Sequence, residues 1–541
     1  MDIASLPENT RALKQLIADL LVGHETVIAE REATISGYKA DIADKDQYIS
    51  QLEEQVRLLK ALQYAAKSEK TRPHHGEEQY SLFDEAEWAA MREETGEAAE
   101  EPRTEVVPHA RRKAGSKPIP EAYPRVEVVH DIPEQDKICG CGAALTRIGE
   151  EVSEKLDIVP AKIQVIRHVR PKYACRTCEG VEDDGPTVRT APMPPQLIPG
   201  GMATAGLVAY VVVNKFVDGL PFYRQERMFS RLGLDISRAT MCNWALQASR
   251  ACGPLVDALH KEIRSGPLIN MDETTVQVMK EPGRKNTAKS QMWVVCGGPS
   301  STPVVLFHYD PSRSGKVAED IVGNFQGYLQ TDGYAGYNAL GAREDITHLG
   351  CLAHVRRKFH DVLKTGSKKK AGTAETVVNL IGKLYKLEKQ AREGNLDFEE
   401  IRLMRQEKIR PILDKIKILL LARGGSVPPK SLLGKAMSYA LGQWDRIEAY
   451  LQDGRLSPDN NAAENAIRPF AVGRKNWLFS GSPRGCKASA ALYSLVETAK
   501  VNGLNPYEYL LHVFEQIPHV KGEEDIKALL PWALKKEGKS T

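Results

Sequence analysis

The sequence predicts a multidomain α+β protein, on three observations. A seven-residue apolar repeat runs through the N-terminal sixty residues. Two tight cysteine pairs flank a strand-like segment. Further on, a cluster of β-type runs lies between long helical stretches. The predicted parts, in order, are an N-terminal coiled-coil helix, a small metal-binding module, a helical segment, and an α/β domain with a large helical insertion.

The chain has 541 residues, enough for three or four domains at about 150 each. Apolar residues make up 42% and charged residues 27%, as in soluble globular proteins. Net charge is +3, from 74 basic and 71 acidic residues, so local clustering must decide whether nucleic acid is a partner. No run of about 18 apolar residues occurs, and no membrane partner is expected. The opening MDIASLPENT lacks the basic and apolar regions of a signal peptide, so a cytoplasmic setting is expected. There, clustered cysteines suggest metal rather than disulfides.

Residues 1–65 read as a dimerising coiled-coil helix. Proline is absent from Arg11 to Thr71, and Leu21, Ile28, Ile35, Ile42, Ile49 and Val56 form an a-position stripe. The d positions are poorer: only Leu52 and Leu59 comply, against His24, Arg31, Tyr38 and Lys45. A helix packed on its own chain is the alternative. Residues 66–122 read as a linker. Ten acidic residues and one arginine lie between Glu77 and Glu101, and a basic, proline-containing stretch follows. Within it, SLFDEAEW would suit a short docking helix.

Residues 123–190 read as a zinc-binding module. Cys139 and Cys141 pair in ICGCG, and Cys175 and Cys178 in YACRTCEG. Four thiolates close a tetrahedral structural Zn²⁺ site with no open position. The single residue inside the first pair departs from the usual spacing. Between the pairs, Ile163, Val165 and Val169 alternate as on a strand. Residues 191–258 are helical. Two stretches around LGLDIS have helix-turn-helix size, the second opening after Ser237 with Arg238 as a DNA contact. A plain helical hairpin is the alternative.

Residues 259–371 and 456–500 read as two parts of one α/β domain. Strand candidates are GPLINMD, QMWVVCGG, PVVLFHYD, GYLQTDG and ITHLGCLAH. Residues 372–455 form the helical insertion and 501–541 a helical tail. Asp272 and Asp332 end strand candidates, and Glu464 lies in a helix opened by Asp459 or Asn460. Three such carboxylates can converge to hold Mg²⁺ or Mn²⁺ for phosphoryl chemistry. Strand-end aspartates also cap turns, which is the bland reading. The basic setting favours the metal. His354, Arg356, Arg357 and Lys358 follow Asp332, and Arg468, Arg474, Lys475 and Trp477 follow Glu464. Cations interleaved with Tyr334, Tyr337, Phe359 and Phe479 suit nucleic acid. A solvated helix face is the alternative for Arg356, Arg357 and Lys358.

Over nearly its full length the chain resembles transposases of the insertion sequence 66 family. The resemblance is carried by the heptads, KSEK, QYSLFDEAE, CGCG…CRTC, MDET, TDGYAGY, GCLAHVRRKF, SPDNNAAENAIRPFAVGRKNWLFSGSPRG and YSLVETAKVNGLNPYEYL. It implies a D-D-E transposase with an RNase H-like catalytic domain, in which Asp272, Asp332 and Glu464 hold two Mg²⁺ or Mn²⁺ ions. Glu273, Asp459 and Glu497 are rivals for these roles. The implied partners are double-stranded DNA, namely element ends and target, with a homodimer or higher oligomer on it. Small accessory proteins of the same element and a bacterial nucleoid-associated location are also implied. A nuclease without strand transfer, or an inactive zinc-containing DNA-binding regulator, would share these features.

Overall fold

The computed structural model describes residues 10–64, 163–174, 188–365 and 372–536. The four zinc-module cysteines and the 66–122 linker lie outside the described residues. The chain divides into two units, residues 97–194 and the remainder.

Helix α1 (Thr10–Tyr64) is continuous over 55 residues. Leu21, Ile28, Ile35, Ile42 and Ile49 all stand exposed on it. In the smaller unit, β1 (Lys172–Ala174) and β2 (Val188–Thr190) pair antiparallel. The strand expected around Ile163–Val169 is not formed: residues 163–171 have no regular structure, and Val165 and Val169 are exposed. Alternation supplies a face, but a strand also needs a neighbour for its N–H and C=O groups, and pairing begins only at Lys172.

The larger unit opens with α2 (Ala205–Phe216), α3 (Phe222–Arg231), α4 (Arg238–Ala251) and α5 (Gly253–Glu262). The expected start of α4 is present: Ser237 caps it, its hydroxyl accepting the Thr240 N–H at 3.1 Å. Met241, Trp244, Ala245 and Ala248 bury one face of that helix.

All five strand candidates form one sheet. Its strands are β3 (Leu268–Gln277), β4 (Lys289–Gly297), β5 (Val304–Asp310), β6 (Gly327–Gln330) and β7 (Ile346–Leu349). The order is β5-β4-β3-β6-β7. The first three are antiparallel neighbours, while β6 and β7 run parallel to β3. Helix α6 (Gly315–Val322) connects β5 to β6. ITHLGCLAH is a strand only as far as Leu349. The Gly350 N–H turns to the Arg446 carbonyl, and Leu352 already begins α7 (Leu352–Thr365).

The insertion comprises α8 (Thr373–Glu393), α9 (Phe398–Met404), α10 (Arg410–Arg423), α11 (Leu432–Gly442) and α12 (Trp444–Glu448). Its apolar residues build a second core. Val377, Ile381, Leu384, Leu413, Ile416, Leu420 and Met437 pack there with Leu352, Val355 and Phe359 of α7. The chain then returns to the sheet as α13 (Asn461–Trp477) and α14 (Pro483–Val501). Helix α14 covers the edge strand β5: Thr498 bonds both backbone groups of Val305, and Ser494 Oγ accepts the Phe307 N–H at 2.8 Å. Helices α15 (Pro506–Gln516), α16 (Glu523–Ala528) and α17 (Pro531–Lys536) complete the described chain. No described helix is long and apolar enough to cross a membrane.

Candidate active site

Asp272 does not end its strand as expected: β3, the central strand, runs on to Gln277 because Glu273 to Gln277 keep pairing with β4, so the acid sits within it. Asp332 lies two residues beyond the end of its parallel neighbour β6, and Glu464 is in the first turn of α13. The two aspartates are held by their own backbone. Asp272 Oδ1 accepts the Glu273 N–H, and Asp332 Oδ1 the Tyr334 N–H, each at 2.9 Å. Glu464 is 3% exposed and is held from far along the chain. Its Oε1 lies 3.4 Å from His354 Nδ1 and 3.9 Å from Cys351 Sγ, and its Oε2 lies 3.6 Å from Arg357.

The acids are close enough to repel one another. Burial pushes the Asp272 carboxyl well above its usual range, and the charges of Glu273, Glu464 and Asp332 push it further. Glu464 is also raised by burial; Arg357 opposes this, while Asp459 and Asp332 add to it. Burial and the Arg357 and Lys358 charges push the His354 imidazole down to about 4, against the pull of Asp332.

Beneath the acids lies a buried amide network that sequence reasoning missed. Asn270 Nδ2 donates to Gln330 Oε1 at 3.0 Å and to Asn460 Oδ1 at 3.1 Å. Asn460 Nδ2 donates to the Met271 carbonyl, and Gln330 Nε2 to the Ser457 carbonyl, both at 2.8 Å. The Asn460 N–H meets Cys351 Sγ at 3.4 Å, and the Leu352 N–H meets the Pro458 carbonyl at 2.9 Å. Together these bonds fasten β3, β6 and the starts of α7 and α13 to one another. A signal was present: Asn270 and Gln330 each stand two residues before an aspartate in an otherwise apolar strand. A lone amide there needs buried partners.

A second anchor reaches the site from the insertion. Arg405, at a π-helical turn, is 2% exposed and pairs with Glu388 at 2.8 and 2.9 Å. It also donates to the Tyr450, Asp453 and Leu456 carbonyls, bracing the segment that leads into α13.

The rival acids have other partners. Glu273 bonds the Arg313 guanidinium and the Tyr337 hydroxyl. Asp459, just before the N-cap Asn460 of α13, has its Oδ1 accepting the Asn461 N–H at 3.1 Å. Glu497 pairs with Lys500 at 2.9 Å.

The basic residues divide. Arg357 faces Glu464, and Lys358 lies 4.5 Å from the Tyr439 ring. Arg474 reaches the Thr274 hydroxyl at 3.2 Å, while Lys475 and Arg238 are exposed. Arg468 donates to Asn465 Oδ1 at 2.8 Å. Arg356 departs from the expected exposed cation: it is buried, because three successive basic residues on a helix cannot all face solvent when α7 has a core on one side. Tyr337 and Phe359 are likewise core residues, and Trp477 is half-buried against Phe470.

An acid inside the central strand, a second just beyond its parallel neighbour and a third on a helix, with basic residues beside them, fit the D-D-E class of transposase. The family model described as "Transposase IS66 family" matches residues 200–488. Others match residues 136–179 (zinc-finger binding domain of transposase IS66), 494–532 (IS66 C-terminal element) and 51–128 (transposase C of IS166 homeodomain). The chain belongs to the IS66 family of transposases. It is 32% identical over 558 residues to the uncharacterized protein y4qI of Sinorhizobium fredii, covering 99% of each chain. It is 37% identical over 430 residues to y4jD of the same organism, covering 76% of this chain and 81% of that one.

Proposed function

We propose that this transposase cuts DNA at the ends of its element and joins the freed 3′-OH groups to target DNA at a centre formed by Asp272, Asp332 and Glu464. The observation that carries this reading is the convergence of three carboxylates: Asp272 and Glu464 are both raised above their ordinary range, by burial first and then by the charges of neighbouring acids, Asp332 among them. Their oxygen donors fit Mg²⁺ or Mn²⁺, and Glu464 Oε2 is buried without a hydrogen-bond partner. Two bound cations would activate the attacking oxygen and stabilise the leaving one. The chain's own residues position the reactants. The amide network holds the three acid-bearing segments in register, and Arg357, Arg474 and Lys475 offer cations to the phosphate backbone. The mixed sheet with the first acid on its central strand supports the RNase H-like reading of the domain.

Around this centre, Arg238 at the start of α4 and Arg468 on α13 are further proposed DNA contacts. The exposed heptad stripe of α1 supports pairing of two copies on DNA. The zinc-finger match spans Cys139, Cys141, Cys175 and Cys178, the proposed ligands of one structural zinc ion. Accessory proteins of the element and a nucleoid location complete the proposal.

The test is strand transfer from oligonucleotides carrying the element's ends into a plasmid, with Mg²⁺ or Mn²⁺. Joined product with the wild type, and none with Asp272→Asn or Asp332→Asn, is expected. Cutting without joining would replace the reading with a nuclease. Cellular activity that survives Asp272→Asn would replace it with a DNA-binding regulator.

A further inference from the structure

Glu464 has a second set of neighbours that the proposed reaction does not use. Cys351, His354 and Glu464 present a thiol sulfur, an imidazole nitrogen and a carboxylate oxygen that all lie within 4.8 Å of one another. Cys351 and Glu464 are buried, and His354 is half-buried. His354 Nδ1 is enclosed without a hydrogen-bond partner, although Glu464 Oε1 is only 3.4 Å away.

The backbone builds this cluster. Cys351 precedes the first residue of α7, and His354 follows three positions later, so both sit on the same turn. The sulfur is oriented by the Asn460 N–H at 3.4 Å. The glutamate arrives from α13, more than a hundred residues on, through the network that carries Asn460.

Sulfur, nitrogen and oxygen donors together do not suit Mg²⁺, which takes oxygen ligands. They suit Zn²⁺, which accepts all three types and is tetrahedral with a water in the fourth position. We propose that Cys351, His354 and Glu464 form a Zn²⁺ site that competes with the reaction for Glu464. Zinc takes the place of the Cys351 thiol proton, which leaves to solvent, and draws the Glu464 carboxylate into its own coordination. The Asn460 N–H then supports the thiolate from the second shell. Zinc at this position acts as a brake on a Mg²⁺-dependent centre.

The test uses the full-length protein equilibrated with buffered Zn²⁺ and then freed of excess. Zinc content per chain is compared among the wild type, Cys351→Ser and His354→Asn. The wild type is expected to hold one more zinc than either variant, whatever the Cys139, Cys141, Cys175 and Cys178 quartet contributes to all three. Equal zinc in all three, or a loss in only one variant, would overturn the shared site. Thermal melting of each variant excludes misfolding as the cause of a loss. In a second arm, Zn²⁺ is titrated into the Mg²⁺-dependent cleavage reaction. It should inhibit the wild type at least about tenfold more strongly than Cys351→Ser, and equal inhibition would overturn the brake. The site rests on the D-D-E reading only for this second arm. A wild type that cleaves DNA with no zinc difference rejects the zinc site alone. A zinc difference without cleavage in any metal rejects the D-D-E reading alone.

Discussion

The two sides of the acidic centre are built differently. On the sheet side, Asp272 and Asp332 are held by backbone N–H groups one and two residues away. On the helix side, Glu464 is held by Cys351, His354 and Arg357, more than a hundred residues earlier in the chain. Helix α7, which carries His354 and Arg357 and begins just after Cys351, packs into the insertion's core. The contrast shows what residues 372–455 do: they brace α7 and, through Arg405, the entry to α13. The aspartates are set by the strands, and the glutamate by the amide network together with the insertion behind α7.

The largest effect should come from the sheet side. Asp272→Asn or Asp332→Asn should cut strand transfer by at least about a thousandfold, since a ligand of the catalytic cations is lost. The fold should not suffer. The Asp272 carboxyl is raised in the folded state, so between its unfolded and folded values the native chain holds more protons. Stability without metal therefore falls as pH rises through that window. Asp272→Asn should melt higher than wild type at neutral pH, with the advantage shrinking as pH drops toward the unfolded value. A lower melting temperature at neutral pH would contradict the proposed repulsion.

On the helix side, stability and activity should fall together. Arg405→Met leaves Glu388 buried and unpaired, which should cost about 3–5 kcal/mol in denaturant unfolding. Adding Glu388→Leu should restore much of that stability without restoring the carbonyl contacts, so transfer should stay low. Full recovery of transfer would show that Arg405 does not brace the α13 entry. Asn460→Ala removes the amide that joins Asn270 to the Met271 carbonyl and should cost about 1–3 kcal/mol. The smallest effect belongs to the surface: Lys475→Ala should weaken binding to all DNA sequences alike and reduce the salt slope by about one.

The sheet was legible because each of its strands contains a short apolar run, although β3 continues past its run into the polar Asp272–Gln277 stretch. The aspartates were legible for the same reason, each lying at or just beyond such a run. Glu464 was legible only as one acid among several in a polar block, because its position depends on residues remote in sequence. Period alone did not separate the two faces of α7, so Arg356 and Phe359 read as surface residues although both are buried. The amide network was hidden because Asn270, Gln330 and Asn460 find their partners across 60 to 190 residues. Around Ile163, alternation suggested a strand where no pairing is present.

The most direct test of the insertion's role concerns the third acid. Strand transfer by Glu464→Gln should be compared with that of Asp459→Asn, with α-helical content and melting measured alongside. Product lost with Glu464→Gln and kept with Asp459→Asn is the predicted result, since Asp459 accepts the Asn461 N–H at the start of α13 while Glu464 faces His354 of α7. Product kept with Glu464→Gln and lost with a folded Asp459→Asn would contradict the account and move the third ligand out of the helix.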